Sequence, residues 1–403
     1  MRVDEAIEGS VSFALAAGAS FVLTVNVVAN AVHDARTAAF LLVLLALTLA
    51  RCPWLWVSRE AYLYLAFTVY MLLSFLWTSD VRLAVDILIS MLNFLLILVL
   101  FTHIVLNYDL RCVLWGLLAG LLLGAASLTM ATHFPLVYPE GLSYNTVAGM
   151  YLFTLIVAVL LRLQGWGRLL LPILCVVLWA HIVASTSIKT NLGVVIALMV
   201  ATLFQFRGSL RLALRSLVPV AILAAGIAYY VASHPTLEPT FERGWDRVSM
   251  GVGVLLARQD DTAATGLSTR EDWKNRGLRG WARSPLFGNG AEAFRADVGI
   301  TSHSTIVDLL YNTGLIGFGL FYGILGSVGW RWFRCRDRGA RSVRAMMLGV
   351  TVCYAFISIS GLMYYDAFLP AFIAIAVALH QRYTSRFSAD AVLAVRSPRV
   401  VQA

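Results

Sequence analysis

The chain reads as an all-α, polytopic integral membrane protein of about twelve transmembrane helices, with one large helical loop on the outward side. Three observations lead there. Apolar residues make up 60% of the 403 and charged residues only 13%, more apolar surface than a soluble protein of this size can hide. The apolar residues fall in runs of about 20, the length that crosses a hydrocarbon core. Arginines gather on alternate short loops, as they do on a cytoplasmic face.

In chain order the expected spans lie near 10–32, 37–52, 59–78, 83–106, 111–131, 144–164, 167–185, 189–206, 212–232, 303–333, 341–361 and 364–381. Asp4, Glu5 and Glu8 precede the first, and no small-residue cleavage site follows it, so it reads as a retained span. One set of loops carries Arg51 and Arg59, Arg111, Arg162 and Arg168, then Arg207, Arg211 and Arg215. The same face takes the run from Arg331 to Arg344 and the tail with Arg382, Arg386, Arg396 and Arg399. The intervening loops offer little beyond Arg36, Arg82 and Lys189. Both termini are therefore expected in the cytoplasm and the 233–302 segment outside. The net charge of +9 is a topology signal; no basic stretch is interleaved with aromatics as a nucleic-acid groove requires.

The domain organisation follows: transmembrane helices 1–9 over residues 1–232, an outward loop over 233–302, helices 10–12 over 303–382, and a basic cytoplasmic tail over 383–403. The tail has little apolar periodicity and is expected to be mobile. The five cysteines avoid the outward loop, so neither a disulfide framework nor a CxxC metal site is available there.

Within the loop, Phe241, Trp245, Val248, Val252 and Leu255 recur at helical spacing among charged residues, the pattern of an amphipathic helix lying on the membrane interface. Ser268 with Glu271 three residues later is a capping box, so a helix should begin there and run to about Arg283. Ser284-Pro285 ends it, Gly288-Asn289-Gly290 supplies a tight turn, and a short helix near 291–297 leads to His303.

Three residues could carry chemistry. His303, at the join between the polar loop and a long apolar run, is either an interfacial polar residue or a general base able to take a proton near neutral pH. Arg270 falls in the first turn of its helix, where the dipole disfavours a cation. It either pairs with Glu271 or Asp272, meets lipid headgroups, or grips an anionic ligand with its guanidinium fork. Lys189, one of two lysines in the chain, either snorkels to the interface or lends a point charge to a phosphate. Asp308 is five residues from His303 and on another helix face, so that pair is not relied on. No DxD, HExxH, GxSxG or GK[ST] pattern occurs in a suitable place, so no metal or nucleotide cofactor is expected. Gly314, Gly317 and Gly319 read as helix-packing positions. A transporter would need polar groups along a mid-membrane path; Asp86, Asn93 and His103 are the candidates.

The segment Ser268-Thr269-Arg270-Glu271-Asp272-Trp273 resembles an S-x-R-x-x-W element, and Pro285-Leu286-Phe287-Gly288-Asn289-Gly290 resembles P-x-x-G-x-G. His303, Leu309-Leu310 and Gly314-Leu315-Ile316-Gly317 resemble H-N-x-x-L…G-x-x-G, with Ser304 where asparagine is usual. Asn145 resembles the asparagine of an N-x-x-A/G segment, and Ser187-Ile188-Lys189 an S-R element with lysine in place of arginine. Together these resemble the O-antigen ligase and polymerase superfamily of bacterial envelope glycosyltransferases. The resemblance implies transfer of O-antigen from undecaprenyl diphosphate to lipid A-core in lipopolysaccharide assembly, at the periplasmic face of a Gram-negative inner membrane. It implies His303 and Arg270 as catalytic, Arg270 and Lys189 on the diphosphate, and Asn145, Ser187 and Trp273 in support, with inversion at the anomeric carbon and no metal. The single large loop favours a ligase over a polymerase or a protein-glycosylating relative.

Overall fold

The computed structural model describes residues 3–28, 35–53, 57–132, 144–167, 170–184, 187–205, 267–337 and 339–396. The expected span at 212–232 and the amphipathic helix at 241–258 lie outside them. Among the described residues the protein is helical and has no strand. The helices are α1 (Val3–Val28), α2 (Ala35–Arg51), α3 (Arg59–Leu73), α4 (Val81–Asn107), α5 (Leu110–Thr132), α6 (Tyr144–Leu163), α7 (Leu170–Ala184) and α8 (Ile188–Gln205). Further along the chain come α9 (Leu267–Trp281) and α10 (Ala293–Val298), within the expected outward loop, then α11 (Thr305–Arg334), α12 (Arg341–Ile357) and α13 (Phe368–Arg396).

Among the described residues five helices, α1, α4, α5, α6 and α11, are long and apolar enough to cross a membrane. Others are shorter: α3 and α7 have 15 residues each, about 22 Å at 1.5 Å per residue, less than the roughly 30 Å of hydrocarbon. The outward faces of the bundle expose Leu42, Leu47, Leu65, Val69, Leu170 and Ile173, which suits a lipid surround. Inside, α13 is buried all round from Ala367 to Leu379 and packs along α4. The expected mobile tail from 383 is helical to Arg396. Polar ties carry the helix past its apolar run: Arg382 donates to the carbonyls of Leu106 and Tyr108, and the Tyr383 hydroxyl accepts from Gln164 at 2.9 Å.

Small residues set the closest pairings. Gly116, Gly120 and Gly124 of α5 face α1, where a Cβ on Gly120 would stand 2.2 Å from the Ala17 carbonyl oxygen. Backbones that approach this closely gain dispersion contact, the main attraction left between helices in lipid. A buried ion pair joins α3 to α11: Glu60 Oε1 accepts from Arg331 Nε at 2.6 Å and from the Ser327 hydroxyl at 2.5 Å. Removing one partner would strand the other charge, so the pair fixes register more than it adds stability.

α11 is broken at Gly314 (φ 62°, ψ −162°), a conformation open only to glycine. The packing role expected for Gly314 is therefore corrected. Gly317 is close-packed against Thr313 of its own helix, and Gly319 has open space. The break frees backbone groups, and segment 285–290 answers them. Asn289 N–H donates to the Tyr311 carbonyl at 2.8 Å and Gly290 N–H to that of Asn312 at 2.9 Å. Leu315 N–H donates to the Pro285 carbonyl at 2.9 Å and Ile316 N–H to that of Leu286 at 3.3 Å. The Tyr70 hydroxyl of α3 reaches both the Thr313 carbonyl (3.1 Å) and the Phe287 carbonyl (2.9 Å). Each such group left unpaired when buried costs roughly 1–3 kcal/mol, so break and loop are stable only together.

Gly314→Ala places a Cβ 2.3 Å from the Leu286 carbonyl oxygen and adds about 1–3 kcal/mol of backbone strain. The apparent melting temperature in detergent should fall by several degrees, whereas Gly319→Ala should leave it unchanged.

Candidate functional site

His303 lies in the turn between α10 and α11 with φ of 56°, a left-handed conformation that histidine tolerates better than most residues. Its neighbours hold it there. Ser302 and Ser304 are buried. The Ser302 hydroxyl donates to the Ser304 carbonyl at 2.9 Å and accepts from Ser304 N–H at 3.2 Å. With both flanking side chains turned inward, His303 is exposed, and its ring centroid lies 5.7 Å from that of Trp273 at 34°.

Asp308, in the first turn of α11, accepts from Ser302 N–H at 3.3 Å, from Asn312 Nδ2 at 3.0 Å and from the Tyr364 hydroxyl. Its carboxylate thus shapes the turn that presents His303. Thr305 ties the same turn to the α12–α13 connection: its N–H is shared by the carbonyls of Ser358 and Gly361, each at 3.0 Å, and its hydroxyl accepts from Met363 N–H at 2.7 Å.

That connection also holds Lys189, in the first turn of α8, whose Nζ donates to the Ser360 carbonyl at 3.1 Å. A Cβ on Gly361 would stand 2.2 Å from this Nζ, so a glycine there leaves the ammonium its place. Ser187 donates to Asn145 Oδ1 at 3.0 Å and bonds Thr190 at 2.9 Å, fixing the start of α8 to the start of α6. Asp366 begins α13, its Oδ1 accepting from Phe368 N–H at 2.8 Å. Asp366 and Lys189 line the same cavity.

These groups meet at one end of the bundle, around a cavity of about 640 Å³ whose lining includes Asn145, Lys189, Arg295, Tyr354, His303 and Asp366. Of the residues singled out by sequence, His303, Lys189 and Asn145 share this cavity. Ser187 braces its wall, and the Trp273 ring lies tilted beside that of His303. Arg270 stands one turn before Trp273 in α9; its side chain lies outside the described residues. Asp366 and Arg295 were missed. Asp366 was open to discovery as an acidic helix cap ahead of the apolar run Phe368-Leu369, whereas Arg295, in a six-residue helix, had no local signal. Among the described residues no three His, Cys, Asp or Glu side chains converge as a metal ion requires. Chemically the cavity offers an imidazole, fixed cations and the Asp366 carboxyl, with apolar walls from Leu152, Ile357 and Phe368. No family model matches the chain, and no curated protein matches it.

Proposed function

We propose that this protein is a membrane glycosyltransferase of the O-antigen ligase type, moving a glycan from an undecaprenyl diphosphate carrier to a sugar hydroxyl of lipid A-core. The observation that carries the reading is the meeting of His303 and Lys189 in one cavity although they lie far apart in sequence. The apolar helices fit a membrane-embedded protein. The reading adds about twelve spans from the apolar runs, cytoplasmic termini and an outward cavity from the arginine pattern, and a Gram-negative inner membrane from the family resemblance.

The chemistry follows from the groups present. A sugar hydroxyl is a weak nucleophile until a base takes its proton; His303, exposed and steadied by Trp273, is that base. The hydroxyl oxygen bonds to the anomeric carbon as the bond from that carbon to the diphosphate oxygen breaks. The electron pair leaves on the diphosphate, where Lys189 and Arg270 balance the growing charge. One in-line displacement inverts the anomeric carbon and needs no ATP, because the diphosphate is already a good leaving group. Asp366, which lines the cavity with Lys189, offsets part of its positive charge. A ligase is favoured over a polymerase by the single large loop. A transport path has weaker support: Asp86 is exposed, while His103 bonds Asn107 at 3.0 Å.

His303→Ala should lower glycan transfer by roughly 10²–10⁴ with normal amounts of protein in the membrane, read as lipopolysaccharide on a gel from cells lacking the wild-type gene. Bare core with accumulated carrier-linked polymer is the expected pattern. Core bearing one repeat unit would make the protein a polymerase, and an unchanged ladder would remove His303 as base.

A further inference from the structure

Two cations line the cavity from different elements. Lys189 belongs to the wall built by α8 and the α12–α13 connection. Arg295 belongs to the wall that carries His303, since α10 ends at Gly299, which donates to the Arg295 carbonyl at 2.9 Å, and the chain then runs through Ile300 and Thr301 along the cavity to His303. α10 is a firm base for that side chain. Phe294 is fully buried and its N–H donates to Asn312 Oδ1 at 2.8 Å. The Tyr311 hydroxyl donates to Asp297 Oδ2 at 2.5 Å.

The Arg295 guanidinium is lightly engaged. Its ion-pair partner among the described residues is Glu292, at 4.0 Å, too far for a hydrogen bond, and the side chain is 51% exposed. A half-exposed arginine that lines a cavity and makes no hydrogen bond to its carboxylate partner retains the planar fork that binds an oxyanion in two places.

Direction of attack says which oxyanion. In an in-line displacement the nucleophile enters opposite the leaving group, so the base and the diphosphate stand on opposite sides of the anomeric carbon. Resting on the transferase reading, with His303 as base and Lys189 on the diphosphate, the His303 wall is the acceptor side. We infer that Arg295 is an acceptor-recognition residue, gripping a phosphate or carboxylate carried by the acceptor glycan near the hydroxyl that is glycosylated. The two cations then serve two different anions, and the acceptor class is an acidic oligosaccharide.

The test uses the full-length protein in nanodiscs with a carrier-linked donor and core lipopolysaccharide as acceptor, supplied native, dephosphorylated or carboxyl-reduced. Acceptor binding is measured without donor, alongside steady-state transfer. Arg295→Gln should weaken binding of the native acceptor and raise its KM by about tenfold to a hundredfold, the worth of a charged hydrogen bond. The donor KM should stay constant and kcat change little, and Arg295→Lys should recover part of the loss. The difference between wild type and Arg295→Gln should vanish on the dephosphorylated acceptor if the group is a phosphate, or on the carboxyl-reduced one if it is a carboxylate. An unchanged acceptor affinity, a raised donor KM, or an equal loss on all three acceptors would overturn the inference. Absence of any transfer by the wild type would overturn the transferase reading and with it the acceptor role, and binding that still depended on Arg295 would then leave it only an oxyanion-binding residue.

Discussion

The break of α11 at Gly314 is the constraint on which the rest of the structure depends. A long apolar helix that stops and restarts leaves carbonyls at Tyr311, Asn312 and Thr313 and N–H groups at Leu315 and Ile316 in need of partners. In a low-dielectric setting water does not supply them. Segment 285–290 does, with Tyr70 of α3, so a loop distant in sequence becomes part of the helix. Docking of that loop sets where α9 and α10 lie. Gly277 and Gly280 of α9 sit so close to α11 that a Cβ would meet Val307 at 2.3 Å and Tyr311 at 2.0 Å. Trp273 and Arg295 are thereby delivered to the end of the bundle where His303 stands.

A second layer of bonds sharpens that placement. Asp308 and Thr305 connect the His303 turn to residues 358–364, and Ser360 in the same connection holds Lys189. His303 and Lys189 are thus fixed to a common strip of backbone, although they lie far apart in sequence. Positive φ at His303 is the local cost of pointing its ring outward, and the buried serines on either side offset it. Fixed geometry of this kind suits a reaction catalysed by orientation and preplaced charge.

Much of this was legible in the sequence, where the signal is local. The fourth span, expected at 83–106, is Val81–Asn107, and the helix expected from the Ser268–Glu271 capping box is Leu267–Trp281. His303, Lys189 and Asn145 stood out by residue type and position, and the structure gathers them around one cavity. What stayed hidden depends on partners elsewhere in the chain. Glycines that break a helix and glycines that pack one look alike in an apolar run; Gly314 differs from Gly319 only because Pro285–Gly290 docks against it. Asp366 and Arg295 join the site through folding, not through spacing to His303. The helix beyond residue 382 had no apolar periodicity to reveal it, because Arg382 and Tyr383 hold its start by polar contacts with α4 and the end of α6.

The central claim is that His303 and Lys189 share one cavity open to the outer side of the membrane. It is tested most directly by replacing both with cysteine in a chain whose five native cysteines are removed. Intact cells are then treated with a short, membrane-impermeant bifunctional maleimide. The account expects a bridge between positions 189 and 303, read as a cross-linked pair of peptides, and its suppression by prior outside blocking with an impermeant thiol reagent. Two separately labelled cysteines with no bridge, or labelling only after the cytoplasmic side is exposed, would contradict it.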